Sequence, residues 1–310
     1  MVAADPRISN VACPAGPLGV AVENCEKVPL TAAGFGDKKR HLNLQCHIMA
    51  WISFDIFRTL GFPDTLQLKP GEVFRHRDEI SAADWVLFPE YWQVNALTYG
   101  LKARIFPSEA SYRLGHNKIE MTRAFEMVAP AQTPHTVIHA NTAENADAVW
   151  EEMLLPFVAK LPKAAQGCGV WLIQQRDDWR AYLARTEVIY VQEYLPIDRD
   201  IRIVVVGDEV VSAYWRLQSD QGFYNNIAKG GAADYSPVPQ VAIDLALHLA
   251  RSLDINHAGF DIAMVGNHPY VLEFNRLFGN QAIPGGERGL REAIQRYLLS
   301  ASQPSDFPSR

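Results

Sequence analysis

At 310 residues, with 48% hydrophobic and 21% charged residues, the chain has the balance of a soluble globular protein and the length for about two domains. A formal net charge of -6 supplies no global attraction to nucleic acid or to an anionic membrane surface, which favours small-molecule or protein substrates. No apolar stretch approaches the length of a membrane span, and residues 1–10 lack a basic segment followed by an apolar one, so a cytoplasmic protein is expected.

Residues 1–10 and 301–310 read as tails. Cys13, Cys25, Cys46 and Cys168 show no C-x-x-C spacing and are expected as reduced thiols; His41 and His47 flank Cys46 without a fourth ligand nearby. From residue 41 to 60, Leu44, Ile48, Ile52, Ile56 and Leu60 recur at four-residue steps ahead of Gly61, which predicts one amphipathic helix. Residues 84–89 and 104–107 read as short buried strands, so an N-terminal α/β lobe is expected up to residue 112. Within it Trp51, Trp85, Tyr91, Trp92 and Tyr99 are expected to pack, and Lys38, Lys39 and Arg40 to be solvated.

A helix is predicted over 118–128, ending ahead of Pro130, followed by a β-rich run at 136–139 and a helix at 143–154. Residues 157–161 and 170–174 read as strands joined by a glycine-bearing connection suited to covering phosphate. Strands are expected at 188–193, 201–206 and 210–215, the last two joined by Gly207, Asp208 and Glu209. Helices at 239–253 and 287–299 would cover the sheet, and no internal repeat is visible.

Two further apolar runs, 258–265 and 269–275, flank the turn residues Gly266, Asn267 and His268 and predict an antiparallel hairpin. Glu273 and Asn275 are two apart and therefore share a face. With those three residues as the loop, Val265 pairs with Pro269 and Asp261 falls opposite Glu273. A two-residue loop puts Asp261 opposite Phe274, on the other face, so an odd loop is expected. Two carboxylates and an amide oxygen suit Mg2+, which takes one or two protein carboxylates and leaves its other positions to water and phosphate. The bland reading is an ordinary hairpin with scattered polar residues.

In chain order, Lys118, Lys160, the loop Gln166-Gly167-Cys168-Gly169, Gln192-Glu193-Tyr194-Leu195, Asp200 with Arg202, Arg216, Asn226 with Lys229, Asp261, and Glu273 with Asn275 resemble the pattern of the ATP-grasp ligases. Within them the chain is most similar to RimK-type carboxylate-amine ligases and prokaryotic glutathione synthetases, from residue 113 to 299. The resemblance implies an α/β (α+β) ATP-grasp fold of three lobes: a pre-ATP-grasp lobe over 1–112, a central subdomain with the glycine loop over 113–187, and a C-terminal subdomain with the magnesium site over 188–300. It implies amide-bond formation driven by ATP through an acyl phosphate, releasing ADP and phosphate. The substrate would be an amino acid, a peptide or a protein terminus, the metal Mg2+ or Mn2+, and self-association is common in the family.

Each residue also has a physical role beside the resemblance. Lys160 on a strand interior calls for an anionic partner such as an α- or β-phosphate, and Lys118 at a helix start makes sense beside phosphate; a snorkelling or solvated lysine is the alternative for each. Gln166, Gly167 and Gly169 would let backbone N–H groups approach phosphate, or simply form a tight turn. Ala164, Ala165 and Cys168 depart from the family there. Gln192 to Leu195 resemble the hinge that meets adenine, although Tyr194 and Leu195 equally suit a core and Glu193 a salt bridge. Asp200 would accept from ribose hydroxyls, while Arg202 either follows it there or pairs with a nearby carboxylate.

Arg216, Asn226 and Lys229 would steady the charge of the acyl phosphate and its amine adduct; a surface charge at a strand end is the alternative for Arg216. Lys229 stands where arginine is common, keeping the charge without the bidentate fork. Replacing Asp261 or Glu273 by alanine is expected to abolish ATP turnover and leave the fold. The alternative from another class is a nucleotide-binding regulatory or scaffold protein that keeps the fold without turnover.

Overall fold

The computed structural model describes residues 50–162, 169–217, 233–280 and 282–302. It begins with β1 (Trp51–Ser53), β2 (Thr65–Gln67), α1 (Arg77–Ala82), β3 (Trp85–Leu87) and β4 (Ile105–Phe106), the strands forming a parallel sheet in the order β2-β1-β3-β4. Every residue of β1 and β3 is buried, as strands covered on both faces must be.

The helix expected over 41–60 is corrected across its described part. Residues 51–53 are β1, and the chain then turns down to Gly61, which takes φ +83°. Ile56 and Leu60, which the helix would have buried, are 53% and 61% exposed. Spacing alone does not separate a buried strand from a helix, and pairing with β2 and β3 outweighs the local periodicity. Residues 41–49 lie outside the described residues, as do Cys13, Cys25, Cys46 and Cys168.

Next come α2 (Glu109–Leu114), α3 (Lys118–Val128), β5 (Thr136–Ala140), α4 (Ala143–Glu152), β6 (Phe157–Lys160), β7 (Val170–Ile173), α5 (Arg176–Leu183) and β8 (Val188–Glu193). The strands form an antiparallel sheet in the order β5-β8-β6-β7. The Asn117 side chain accepts from the Ile119 N–H to start α3, and Thr142 accepts from the Asn145 N–H to start α4. Phe157, Ile189 and Val191 on the strands close a core with Val149, Trp179 and Tyr182 on the helices.

The third part contains β9 (Arg199–Val206), β10 (Glu209–Leu217), β11 (Ala233–Asp234), α6 (Gln240–Ser252), β12 (His257–Val265), β13 (His268–Asn275) and α7 (Gly286–Ala301). Its strands are antiparallel in the order β11-β10-β9-β12-β13. Strand β9 explains how the sheet is used. Ile201, Ile203 and Val205 enter a core with α3 and α6, whereas Val204 and Val206 enter a second core with Trp51, Phe88, Phe106 and, from α7, Leu290 and Ile294. Asp200 and Arg202 share the second face by the two-residue period, so that face is apolar at one end and charged at the other.

The hairpin reaches the expected pairing by another route. Val265 pairs with His268, leaving the two-residue turn Gly266-Asn267, with Gly266 at the φ of +60° that such turns demand at their first central position. The odd loop is therefore corrected to an even one. A bulge restores the register: Ile262 pairs with Val271 but Asp261 pairs with Glu273, so Leu272 is the extra residue. The reason lies in the core, where Val271 and Phe274 are both buried although three apart. Only a bulge lets both point the same way while Glu273 keeps the charged face. Among the described residues no helix is long and apolar enough to cross a membrane.

Candidate active site

The charged end of the large sheet is a row of cross-strand neighbours: Tyr214 on β10, Arg202 on β9, Asp261 on β12 and Glu273 on β13, with Arg216 opposite Asp200 beside them. Arg216 grips Asp200 with Nε and Nη2, each 2.7 Å from a carboxylate oxygen, and its Nη2 also lies 2.9 Å from Asp261 Oδ2. Arg202 donates from Nε to Asp261 Oδ1 at 2.6 Å and from Nη2 to Oδ2 at 3.3 Å. All four side chains are buried, so each charge depends on its partners. Burial acts against the charged form of Arg216, and Asp261 and Asp200 outweigh it, raising the guanidinium pKa. Gly259 makes room for this, because a Cβ there would lie 2.9 Å from Arg202 Nη1.

Across the hairpin, Glu273 accepts from Lys118 Nζ and Asn275 Nδ2 lies 3.4 Å from Glu273 Oε1. Burial would raise the Glu273 carboxyl, but Lys118, with Lys160 and Asn275, holds it down at about 2. Lys160 donates to Gln192 Oε1, and Gln192 Nε2 donates to Thr136 Oγ1 at 2.9 Å. Burial pushes the Lys160 ammonium down to about 8, against the pull of Glu273. Lys118 on α3 thus pairs with Glu273 directly, and Lys160 on β6 acts on it through its charge.

Several sequence-predicted residues meet here and others serve the frame. Lys118, Lys160, Asp261, Glu273 and Asn275 belong to one electrostatic cluster, and Arg202 takes the carboxylate-pairing option. Asp200 is held by Arg216 through both carboxylate oxygens. Glu193 Oε1 accepts from the His135 N–H at 2.8 Å, which fixes the end of β8 against the start of β5. Tyr194 and Leu195 follow directly, the Leu195 carbonyl accepting from the Ile197 N–H at 2.9 Å. Gly169 takes φ +110° and its carbonyl accepts from the Leu161 N–H. Gln166, Gly167, Asn226 and Lys229 lie outside the described residues.

What this arrangement can hold follows from charge and donor type. Three carboxylates, Asp200, Asp261 and Glu273, stand among four cations, Lys118, Lys160, Arg202 and Arg216, a surplus of positive charge suited to a polyanion. Asp261, Glu273 and Asn275 carry the oxygen donors that suit a hard cation on this face, with the Asp261 oxygens shared with Arg202 and Arg216 and the Asn275 Nδ2 turned toward Glu273. Among the described residues no three His, Cys, Asp or Glu side chains form a metal cage by themselves. Two carboxylates and an amide therefore fit an ion whose remaining ligands come from phosphate and water. The role of Gln192 as the partner of Lys160 had no signal in spacing, since the two lie on separate strands.

An antiparallel sheet carrying this charged face, next to a second antiparallel sheet that brings a lysine toward it, is the ATP-grasp architecture. A solved RimK domain ATP-grasp protein from Sphaerobacter thermophilus has the same fold, with TM-score 0.61 over 81% of this chain and 99% of that one at 16% identity. The RimK-like ATP-grasp domain model matches residues 118–288, more than half of the chain, and the chain belongs to that family.

Two curated relatives add detail. The chain is 37% identical over 134 residues to the ribosomal protein bS6-L-glutamate ligase of Escherichia fergusonii, covering 41% of this chain and 45% of that protein. It is 32% identical over 200 residues to the probable alpha-L-glutamate ligase of an Enterobacter species, covering 60% of this chain and 66% of that one. The chain thus spans from under half to just under two thirds of the length of these relatives.

Proposed function

We propose that this protein is an ATP-dependent carboxylate-amine ligase that works through an acyl phosphate and releases ADP and phosphate. The observation that carries the reading is the cross-strand pair Asp261 and Glu273 on one sheet face, beside Asn275 and among four cations. Asp261, Glu273 and Asn275 would hold Mg2+, which when bound supplies charge neutralisation on phosphate oxygens. Lys118 and Lys160 offset the remaining phosphate charge. Arg216, held rigid by Asp200, presents a fixed cation to the charge that develops when the amine attacks. Asn226 and Lys229 complete this set in the proposal. Residues 113–187 close over the nucleotide and residues 1–112 contribute to substrate choice, and the exclusion of water protects the acyl phosphate.

The names of the relatives favour an amino acid or a protein terminus as substrate, and a cytoplasmic location belongs to the same reading. Phosphate release screened over pools of amino acids and small peptides with ATP and Mg2+ tests it. A ligase is expected to respond to a specific pool; a chain that binds ATP and releases no phosphate with any pool is a scaffold.

Lys160 gives a pH test of the nucleotide site. In the free protein its ammonium loses the proton as pH climbs through about 8, while a phosphate partner favours the charged form. ATP affinity is therefore expected to be level below that pH and to weaken by up to about tenfold per unit above it. Lys160→Arg, which stays charged, is expected to flatten the profile in calorimetric titrations. A wild-type profile without this bend removes Lys160 from the phosphate site.

A further inference from the structure

The parting of β6 from β8 carries a polar device that the nucleotide reading does not use. These strands pair Phe157 with Glu193, Val158 with Gln192 and Ala159 with Val191, and the ladder stops before the next pair, Lys160 with Tyr190. The Tyr182 hydroxyl stands between those two residues. It accepts from the Tyr190 N–H at 2.9 Å, and its own proton lies nearest the Lys160 carbonyl, at 3.1 Å, with the Val188 and Tyr190 carbonyls at 3.4 Å. The ring that aims it is fully buried and stacks on Trp179 with centroids 5.5 Å apart. A hydroxyl thus stands in for one backbone bond at the residue whose ammonium donates to Gln192.

The Tyr190 side chain makes a second link. Ile189 and Val191 enter the core of the smaller antiparallel sheet, so Tyr190 and Gln192 share the other face of β8. There the Tyr190 hydroxyl lies 2.8 Å from Thr122 Oγ1, and both residues are buried. Thr122 is on α3 one turn after Lys118, along the same side of the helix. Helix α3 is also fastened at its start, where the Lys118 N–H donates to the Pro162 carbonyl at 3.1 Å. The contacts close a ring from Lys118 through Thr122, Tyr190, Tyr182, Lys160 and Pro162 back to Lys118. Burial pushes both phenols above their ordinary pKa, so both hydroxyls keep their protons. An apolar pair would fill the space between β8 and α3 equally well; what the hydroxyls add is direction, since each hydrogen bond fixes a distance and an angle.

We infer that Tyr190 is a positioning residue for the two phosphate lysines, tying Lys118 on α3 to Lys160 on β6 through its side-chain hydroxyl and, by way of Tyr182, its backbone N–H. The inference rests on the nucleotide reading of Lys118 and Lys160. These two ammoniums repel each other, so without a frame they separate in the free protein and must be gathered when the nucleotide binds. A ring of hydrogen bonds that sets their spacing beforehand spares the nucleotide that ordering and raises its affinity.

The test is the ATP dissociation constant in Mg2+, measured by calorimetry on the full chain in single and double variants. Tyr190→Phe and Thr122→Val are each expected to raise it about fivefold, the order of one lost hydrogen bond, while Thr122→Ser, which keeps the hydroxyl, stays within about twofold of the wild type. In a Lys118→Met background Tyr190→Phe is expected to add less than about twofold, because the lysine it positions is gone. Tyr182→Phe is expected to raise the constant about fivefold in the wild-type background and less than about twofold in Lys160→Met. A tyrosine that serves stability alone weakens binding by the same factor in every background; that result, or unchanged affinity in Tyr190→Phe and Thr122→Val, overturns the inference. Should Tyr182→Phe fail to fold, as a melting curve shows, Tyr190→Phe and Thr122→Val with and without Lys118→Met decide the matter. If Lys118→Met and Lys160→Met themselves bind ATP as the wild type does, the nucleotide reading of the lysines fails and the inference falls with it. If they bind it weakly while Tyr190→Phe binds it normally, the inference alone falls.

Discussion

Asp261→Ala is expected to abolish ATP-dependent phosphate release and to lower the unfolding free energy by about 3–5 kcal/mol, because it leaves buried guanidinium charge without its counter-ion. Read from the sequence alone, this substitution removes a metal ligand and spares the fold. The structure gives it a second effect, since both Arg202 and Arg216 donate to the Asp261 carboxylate in a buried site. Arg216 keeps Asp200, whereas Arg202 has its bidentate contact with Asp261 alone among the ion pairs described. For a chain of this size the melting temperature should fall by roughly 10 °C. Asp261→Asn keeps the shape and half of the acceptor capacity and is expected to lose the activity with a smaller fall. Calorimetric melting and a phosphate assay on the two variants check this; a stable Asp261→Ala protein would show that the guanidiniums find other partners.

Glu273→Gln shifts the balance of the two effects that Asp261 combines. The Glu273 carboxyl is held at about 2 and is therefore ionised at any working pH, so glutamine removes a charge rather than copying a protonated state. Phosphate release is expected to fall on the order of 10²–10³-fold, about 3–4 kcal/mol of transition-state stabilisation. Stability is expected to fall by about 1–2 kcal/mol, less than in Asp261→Ala, because Lys118 loses its charged partner in a site where the two side chains are only 17% and 29% exposed. The ATP dissociation constant measured in Mg2+ should rise toward the value in chelator, and one that still responds fully to Mg2+ would take Glu273 out of the metal site.

Much of the frame was readable in the chain. The helix over Lys118–Val128 and the strand over Val188–Glu193 stand where Pro130 and the β-branched run put them. The charged face was readable for the same reason: side chains two apart on a strand share a side, so Asp200 with Arg202 and Glu273 with Asn275 had to travel together. Residues 176–183 carry little helical signal in the sequence because the segment is polar and buries only Trp179 and Tyr182. The strand at Trp51–Ser53 was hidden by neighbours spaced like a helix, and its parallel partners lie outside any local window. The bulge at Leu272 did leave a trace in the odd spacing of Val271 and Phe274, two apolar residues that no regular strand can bury on one side.

The sequence by itself determined which charged residues exist, their order along the chain and which of them share a strand face, because these depend only on composition and the two-residue period. Tertiary structure alone decided that Asp261 is gripped by arginines from two other strands, that Lys118 pairs with Glu273, and that His257 is enclosed by Phe88, Phe106 and Phe278. These pairings join residues as far apart as 155 positions, and only sheet register and the packing of the cores bring such groups within hydrogen-bond reach.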